Sequence, residues 1–189
     1  MFIDKELKKA LIKVAIPVAL QNLITSLLNM IDTVMIGSLG DRAVAAVGLA
    51  NQWFFIFTLV SFGITSGSTI YVAQFFGKKD YESLQRPVAY ALFLCSAVAI
   101  FFSSLAIFMP QFVMGFFTND METIMLGSDY LRIAGITYLT LAISLPLATA
   151  MRSTEVALLP LIITVVALLI NTFLNFCLIT GNLGFPALG

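Results

Sequence analysis

The sequence predicts an all-α membrane protein, a bundle of about five transmembrane helices. Three observations carry that expectation. Of the 189 residues 60% are apolar and only 11% charged, the mean hydropathy is +1.01, and the apolar residues gather into five long runs. A water-soluble domain needs far more polar surface than this composition supplies. Crossing a hydrocarbon layer of about 30 Å takes about 20 helical residues, and runs of that length lie at residues 11–36, 47–76, 87–109, 123–151 and 159–179. Short segments with the helix breakers separate them, at 37–41, 77–80, 110–120 and 152–155.

Ten basic and ten acidic residues cancel, so there is no basic stripe for nucleic acid, and the expected surroundings are the lipid bilayer. The placement of the charges carries more information than their sum. Lys5, Lys8, Lys9 and Lys13 precede or open the first run, Lys78, Lys79 and Arg86 lie around the second connection, and Arg152 lies in the fourth. The opposite side has Arg42 beside Asp41, Asp120 and Glu122. Positive loops stay cytoplasmic, so the N-terminus is expected inside, and five crossings put the end outside. The start, MFIDKELKKALIK, lacks the short core and cleavage site of a signal peptide. The end, GNLGFPALG, reads as a turn into a further helix, so the expectation is a single transmembrane lobe, residues 1–189, whose sixth helix and partner lobe are missing. Cys95 and Cys177 sit inside apolar runs and read as packing residues.

Polar residues within the runs mark the candidate site. In the first run Gln21, Asn22, Thr25, Ser26, Asn29, Asp32 and Thr33 fall within an arc of roughly 140°. Such a stripe faces protein or water rather than lipid. Asp32 is its most costly member, about 2.5–3.5 kcal/mol at mid-bilayer; it fits either an ion- or proton-binding acid or a carboxylate that reaches outer water. The fifth run repeats the theme with Thr164, Asn171, Asn175 and Asn182 within about 40°. Asparagines there can ligate a cation or act as hydrogen-bonding glue between helices. In the second run Asn51, Thr58, Thr65 and Thr69 share a face, and Gly63 with Gly67 forms a GxxxG step that reads as a close-packing surface. Pro17 and Pro146 lie inside spans, as kinks or hinges, whereas Pro160 opens one. Seventeen phenylalanines and Trp53 offer faces to lipid, to the core or to flat cations.

The chain has no histidine, no HExxH or GxSxG, no phosphate-binding glycine loop and no cysteine pair at metal spacing. The expectation is a protein that is not an enzyme and needs no cofactor beyond a coupling ion.

At this level the sequence resembles the multidrug and toxic compound extrusion (MATE) family of antiporters. The resemblance rests on AIPVALQNL and NMIDTVMIGSLG in the first run, VGLANQ and VAQFFGKKD around the second, YLRIAG and AMRST in and after the fourth, and NTFLNFCLITG in the fifth. These segments span nearly the whole chain in the family's order. The resemblance implies the N-terminal half of a twelve-helix transporter built from repeats, which alternates access between the membrane faces. It implies Asp32 as the acid coupled to sodium or protons, with Asn171 and Asn175 around it and Gln21, Asn22, Asn29 and Asn51 as cavity or supporting polar residues. Some members carry a second Asp where this sequence has Asn175. The implied activity is efflux of small organic, often cationic compounds across a bacterial plasma membrane, from a cleft completed by the missing lobe or a second copy. A lipid-linked oligosaccharide flippase of similar architecture and a non-transporting membrane scaffold are the rival readings. The flippase needs a strongly basic cavity, for which only Arg132 is material.

Overall fold

A computed structural model describes residues 5–37 and 41–180, with side chains described for 12–28, 30 and 41–173. Among these residues there are helices and no strand, in the order α1 Lys5–Gly37, α2 Asp41–Gly77, α3 Tyr81–Phe108, α4 Pro110–Gly115, α5 Met121–Ser153 and α6 Leu158–Thr180. The five long helices coincide with the five apolar runs. Of these, α2, α3 and α5 are each long and apolar enough to cross a membrane, and the described parts of α1 and α6 hold apolar stretches at Ile12–Leu28 and Leu158–Phe173.

Each long helix begins before its apolar run, for local reasons. Asp80 caps α3 by accepting from the Ser83 N–H at 3.1 Å, and Asp120 caps α5 by accepting from the Thr123 N–H at 3.1 Å. These bonds satisfy amides that have no partner inside the helix. The hydrogen bonds from Ser83 and Thr123 favour the charged form and hold both carboxyls below the usual carboxylate range. Between α2 and α3 the chain reverses through a paired closure, in which Asp80 N–H donates to Phe75 O and Lys79 N–H to Phe76 O, both at 3.0 Å. Lys79 takes the left-handed conformation, with φ of 58°, at a position where glycine is the usual residue.

Segment 110–120 was expected to be a loop, yet its first half is α4. Pro110 stands at the first helical position, where its missing N–H costs nothing. Pro110, Val113 and Met114 turn inward and are buried. One and a half turns is too short for a periodic signal to register in sequence.

By internal packing the chain forms two compact units, one containing α1 and α6, the other α2 to α5. In the second unit α3 presents Ala91, Cys95, Ala99, Ser103 and Ala106, all buried, at mostly four-residue spacing. Small side chains in one stripe let neighbouring backbones approach, which in lipid is the main source of helix attraction. Larger groups fill what remains. Phe57 of α2 stacks on Tyr138 of α5 with centroids 5.0 Å apart, and Trp53 lies 4.6 Å from the Phe102 ring while its Nε1–H donates to Phe102 O at 3.3 Å.

The close approaches do not fall at the GxxxG step. A methyl group added at Gly63 or Gly67 would meet nothing within 4 Å. At Gly135 it would lie 2.9 Å from Ala106 Cβ and 3.2 Å from Ile107 Cγ1, and at Gly127 it would strike the Met114 methyl. The tight contact is therefore made by α5 against α3 and α4, which corrects the sequence reading. Spacing of glycines identifies a smooth strip of helix; it does not say which strip meets a partner.

At their N-terminal ends, α2 and α5 carry charged and amide side chains among the apolar ones. The 37 residues of α2 and 33 of α5 make about 55 and 50 Å at 1.5 Å per residue. Their first three turns carry Asp41, Arg42, Asn51 and Gln52 on α2, and Glu122, Asp129 and Arg132 on α5. Arg42 pairs with Glu122 across the two helices, and Arg132 lies 3.9 Å from Asp129 on its own helix.

The glycine assignment is testable by alanine substitution. Gly135→Ala should cost about 1–3 kcal/mol through overpacking, whereas Gly63→Ala and Gly67→Ala should be neutral or gain up to about 1 kcal/mol from helix propensity. Thermal unfolding in detergent reads the difference, and a destabilised Gly67→Ala protein with an unaffected Gly135→Ala protein would reverse the assignment.

Candidate functional site

The candidate site lies on the facing surfaces of α1 and α6. Gln21 Nε2 donates to Thr164 Oγ1 at 2.8 Å, and both side chains are half-buried. Eight residues earlier on α1, Lys13 Nζ lies 3.8 Å from a carboxylate oxygen of Glu155, just before α6 begins. Both contacts advance in the same direction along the two segments, so α1 and α6 run parallel. Thr25 adds a hydroxyl bond to Gln21 O at 2.9 Å, keeping its own polar group within α1.

The register of this pair determines which positions stand level. Gln21 and Thr164 are separated by 143 residues, and the same offset takes position 32 to position 175. Each lies eleven residues beyond the bonded pair, about three turns or 16 Å further along, and within about 20° of the same face. Positions 32 and 175 therefore share the stripe that the Gln21–Thr164 bond already pins. The side chains of Asn29, Asp32 and Asn175 lie outside the described residues, as does Asn182. Asn22 and Asn171 are exposed on their helices.

Other sequence candidates fall elsewhere. Asn51 is on α2 in the second unit, where its Oδ1 accepts from the Tyr130 hydroxyl of α5 at 3.4 Å, a long hydrogen bond. Sequence reasoning had no means to find Tyr130, which lies 79 positions away. Pro17 sits within unbroken α1. Pro146 sits within unbroken α5, is buried, and lines a small cavity of the second unit.

The pattern of a known family covers residues 17–177 of this chain, and that family is MatE. The chain belongs to the MatE family. Relatives of this MatE chain include a "Probable multidrug resistance protein NorM" of Thermotoga maritima, 25% identical over 184 residues, which are 97% of this chain and 40% of the relative. A protein of the same name from Rhizobium meliloti is 30% identical over 162 residues, 86% of this chain and 34% of that one. The "Probable multidrug resistance protein YoeA" of Bacillus subtilis is 27% identical over 175 residues, 92% and 38% of the two chains. Among solved structures, a crystal structure of a MATE mutant superposes with a TM-score of 0.84 at 20% identity, covering 94% of this chain and 40% of that one. That likeness shows the fold. The MatE chain described here thus spans about a third to two fifths of the length of these relatives, and with its apolar helices it is a multi-pass membrane protein.

The bond that sets the register is open to a double-mutant cycle. Gln21→Ala and Thr164→Val should each destabilise the protein, and their coupling should be about 0.6 kcal/mol and no more than about 1.7, the range for hydrogen bonds between membrane helices. Additive effects in thermal or denaturant unfolding would remove this contact as the pin of the α1–α6 pair.

Proposed function

We propose that this chain is the N-terminal lobe of a multidrug efflux antiporter, which exchanges sodium ions or protons for small organic, often cationic compounds across a bacterial plasma membrane. What supports the reading most directly is the Gln21–Thr164 bond, whose offset of 143 residues sets position 32 level with position 175 along α1 and α6. Membership of the MatE family and the names of the NorM and YoeA relatives support efflux as the activity.

In this reading Asp32 is the coupling residue. Protonation and sodium binding compete for the same carboxylate oxygens, so one acid can serve either ion in turn. Asn171 and Asn175 supply amide groups that accept or donate as the acid changes state. Gln21, bonded to Thr164, holds the helices in register, with Asn22 and Asn29 on the same polar face of α1 and Asn51 as a supporting contact on α2. No cofactor enters the cycle beyond the coupling ion. Substrate occupies a cleft shared with a second lobe, supplied by the remainder of a longer protein or by a second copy.

The orientation proposed with this reading puts the N-terminus in the cytoplasm, from the lysine asymmetry. Single cysteines at positions 8 and 79 should react with an impermeant thiol reagent only from the cytoplasmic side, and one at position 119 only from outside. Opposite labelling at all three positions would invert the topology.

Asp32→Asn keeps shape and hydrogen-bonding capacity while removing the titratable charge. In the full-length transporter it should insert at wild-type levels and lose most ion-driven drug efflux from membrane vesicles, with Asn175→Ala giving a smaller defect. Undiminished ion-driven efflux by the Asp32→Asn protein would falsify the coupling role and favour an ordinary polar contact at that position.

A further inference from the structure

Between α2, α3 and α5 of the second unit lies a half-open cavity lined on its polar side by Thr65, Ser68, Thr69 and Thr149, with Val72 and Pro146 among its apolar groups. The four hydroxyls have already committed their protons. Thr65 Oγ1 donates to Ser61 O at 3.0 Å, Ser68 Oγ to Pro87 O at 2.8 Å, Thr69 Oγ1 to Thr65 O at 2.7 Å, and Thr149 Oγ1 to Leu145 O at 2.7 Å. A hydroxyl has one proton and two lone pairs, so these groups offer the cavity acceptors and no donor.

The complementary occupant is a donor small enough to enter. The water-sized space is about 10 Å3, at the lower edge of the roughly 10–15 Å3 that one water requires. A metal cation would also suit lone pairs, but none of the lining residues is acidic. The charge that reaches them has the wrong sign, since Arg152 Nη2 donates to Thr149 Oγ1 at 3.4 Å. A neutral molecule with two protons meets both constraints.

We infer that a single bound water occupies this cavity, donating to Thr149 Oγ1 on α5 and to a hydroxyl oxygen on α2, and so bridging the two helices at the proline turn. Such a bridge makes hydrogen bonds nearly as favourable as direct ones. It also lets the turn around Pro146 shift without stranding an acceptor, because a water exchanges partners where a side chain cannot. The inference is independent of which ion, if any, binds at Asp32.

Synchrotron hydroxyl-radical footprinting of the full-length protein in lipid nanodiscs tests it, because radiolysis of a bound water oxidises the side chains touching it. Val72, Phe57 and Tyr138 are equally buried, each 1% exposed, and the aromatic pair is intrinsically the more reactive. Val72 and Pro146 should nevertheless be oxidised several-fold faster than Phe57 and Tyr138. Thr149→Val should abolish most of that excess, and Thr149→Ser, which keeps the hydroxyl, should restore it. Labelling of Val72 and Pro146 no faster than of the aromatic pair would overturn the bound water, and labelling unchanged by Thr149→Val would overturn its attachment to α5. Oxidation that rises when sodium is replaced by choline would show a cation displacing the water, and would overturn the neutral occupant.

Discussion

In hydrocarbon no water is available to a peptide group, so each N–H and C=O must find its partner within the protein. That constraint selects helices for the spans, and it also removes the usual force that brings helices together, because a lipid tail is as apolar as a leucine. What remains is close contact and a few hydrogen bonds. Both units are built from that short list. In the unit of α2 to α5 the closeness comes from the alanine stripe of α3 and from Gly127 and Gly135 on α5. In the unit of α1 and α6 a hydrogen bond, Gln21 to Thr164, fixes the pairing.

The same constraint explains why large apolar residues are exposed throughout. Phe93, Ile133 and Phe101 are more than half accessible, which on a soluble protein would mark a binding surface. Here lipid solvates them. The buried core of the second unit instead sets the small residues of α3 against Phe57, Phe102, Met114, Leu131 and Tyr138, since volume and shape decide what packs against what when hydrophobicity does not discriminate.

This division also decides what could be read from sequence. The five long helices were legible because composition marks long apolar stretches off from anything a soluble domain carries. Their ends were not, since capping by Asp80 and Asp120 extends α3 and α5 into polar sequence that a hydropathy window excludes. The helix α4 was missed because it is too short for its period to register, and Gly63 with Gly67 was preferred to Gly127 and Gly135 because only the fold says which face meets a neighbour. Within the candidate site, Gln21 and Thr164 were legible as members of two polar stripes. Their pairing was not, because it rests on an offset between helices far apart in sequence. Asn51 was grouped with the polar candidates, yet its contact is Tyr130, on a helix whose register against α2 no local pattern reveals.

The length of α2 and α5 has a practical side. Some 20 Å of paired helix, joined by Arg42 and Glu122, is more than the hydrocarbon layer needs. The charged residues at 129 and 132 favour keeping the surplus at that end over spreading it as tilt. A detergent belt would leave that end uncovered. It is a ready-made handle, stiff and water-facing, on which an antibody fragment or a fused soluble domain can be mounted to give a small, featureless membrane protein the rigid landmark that electron cryomicroscopy needs for particle alignment.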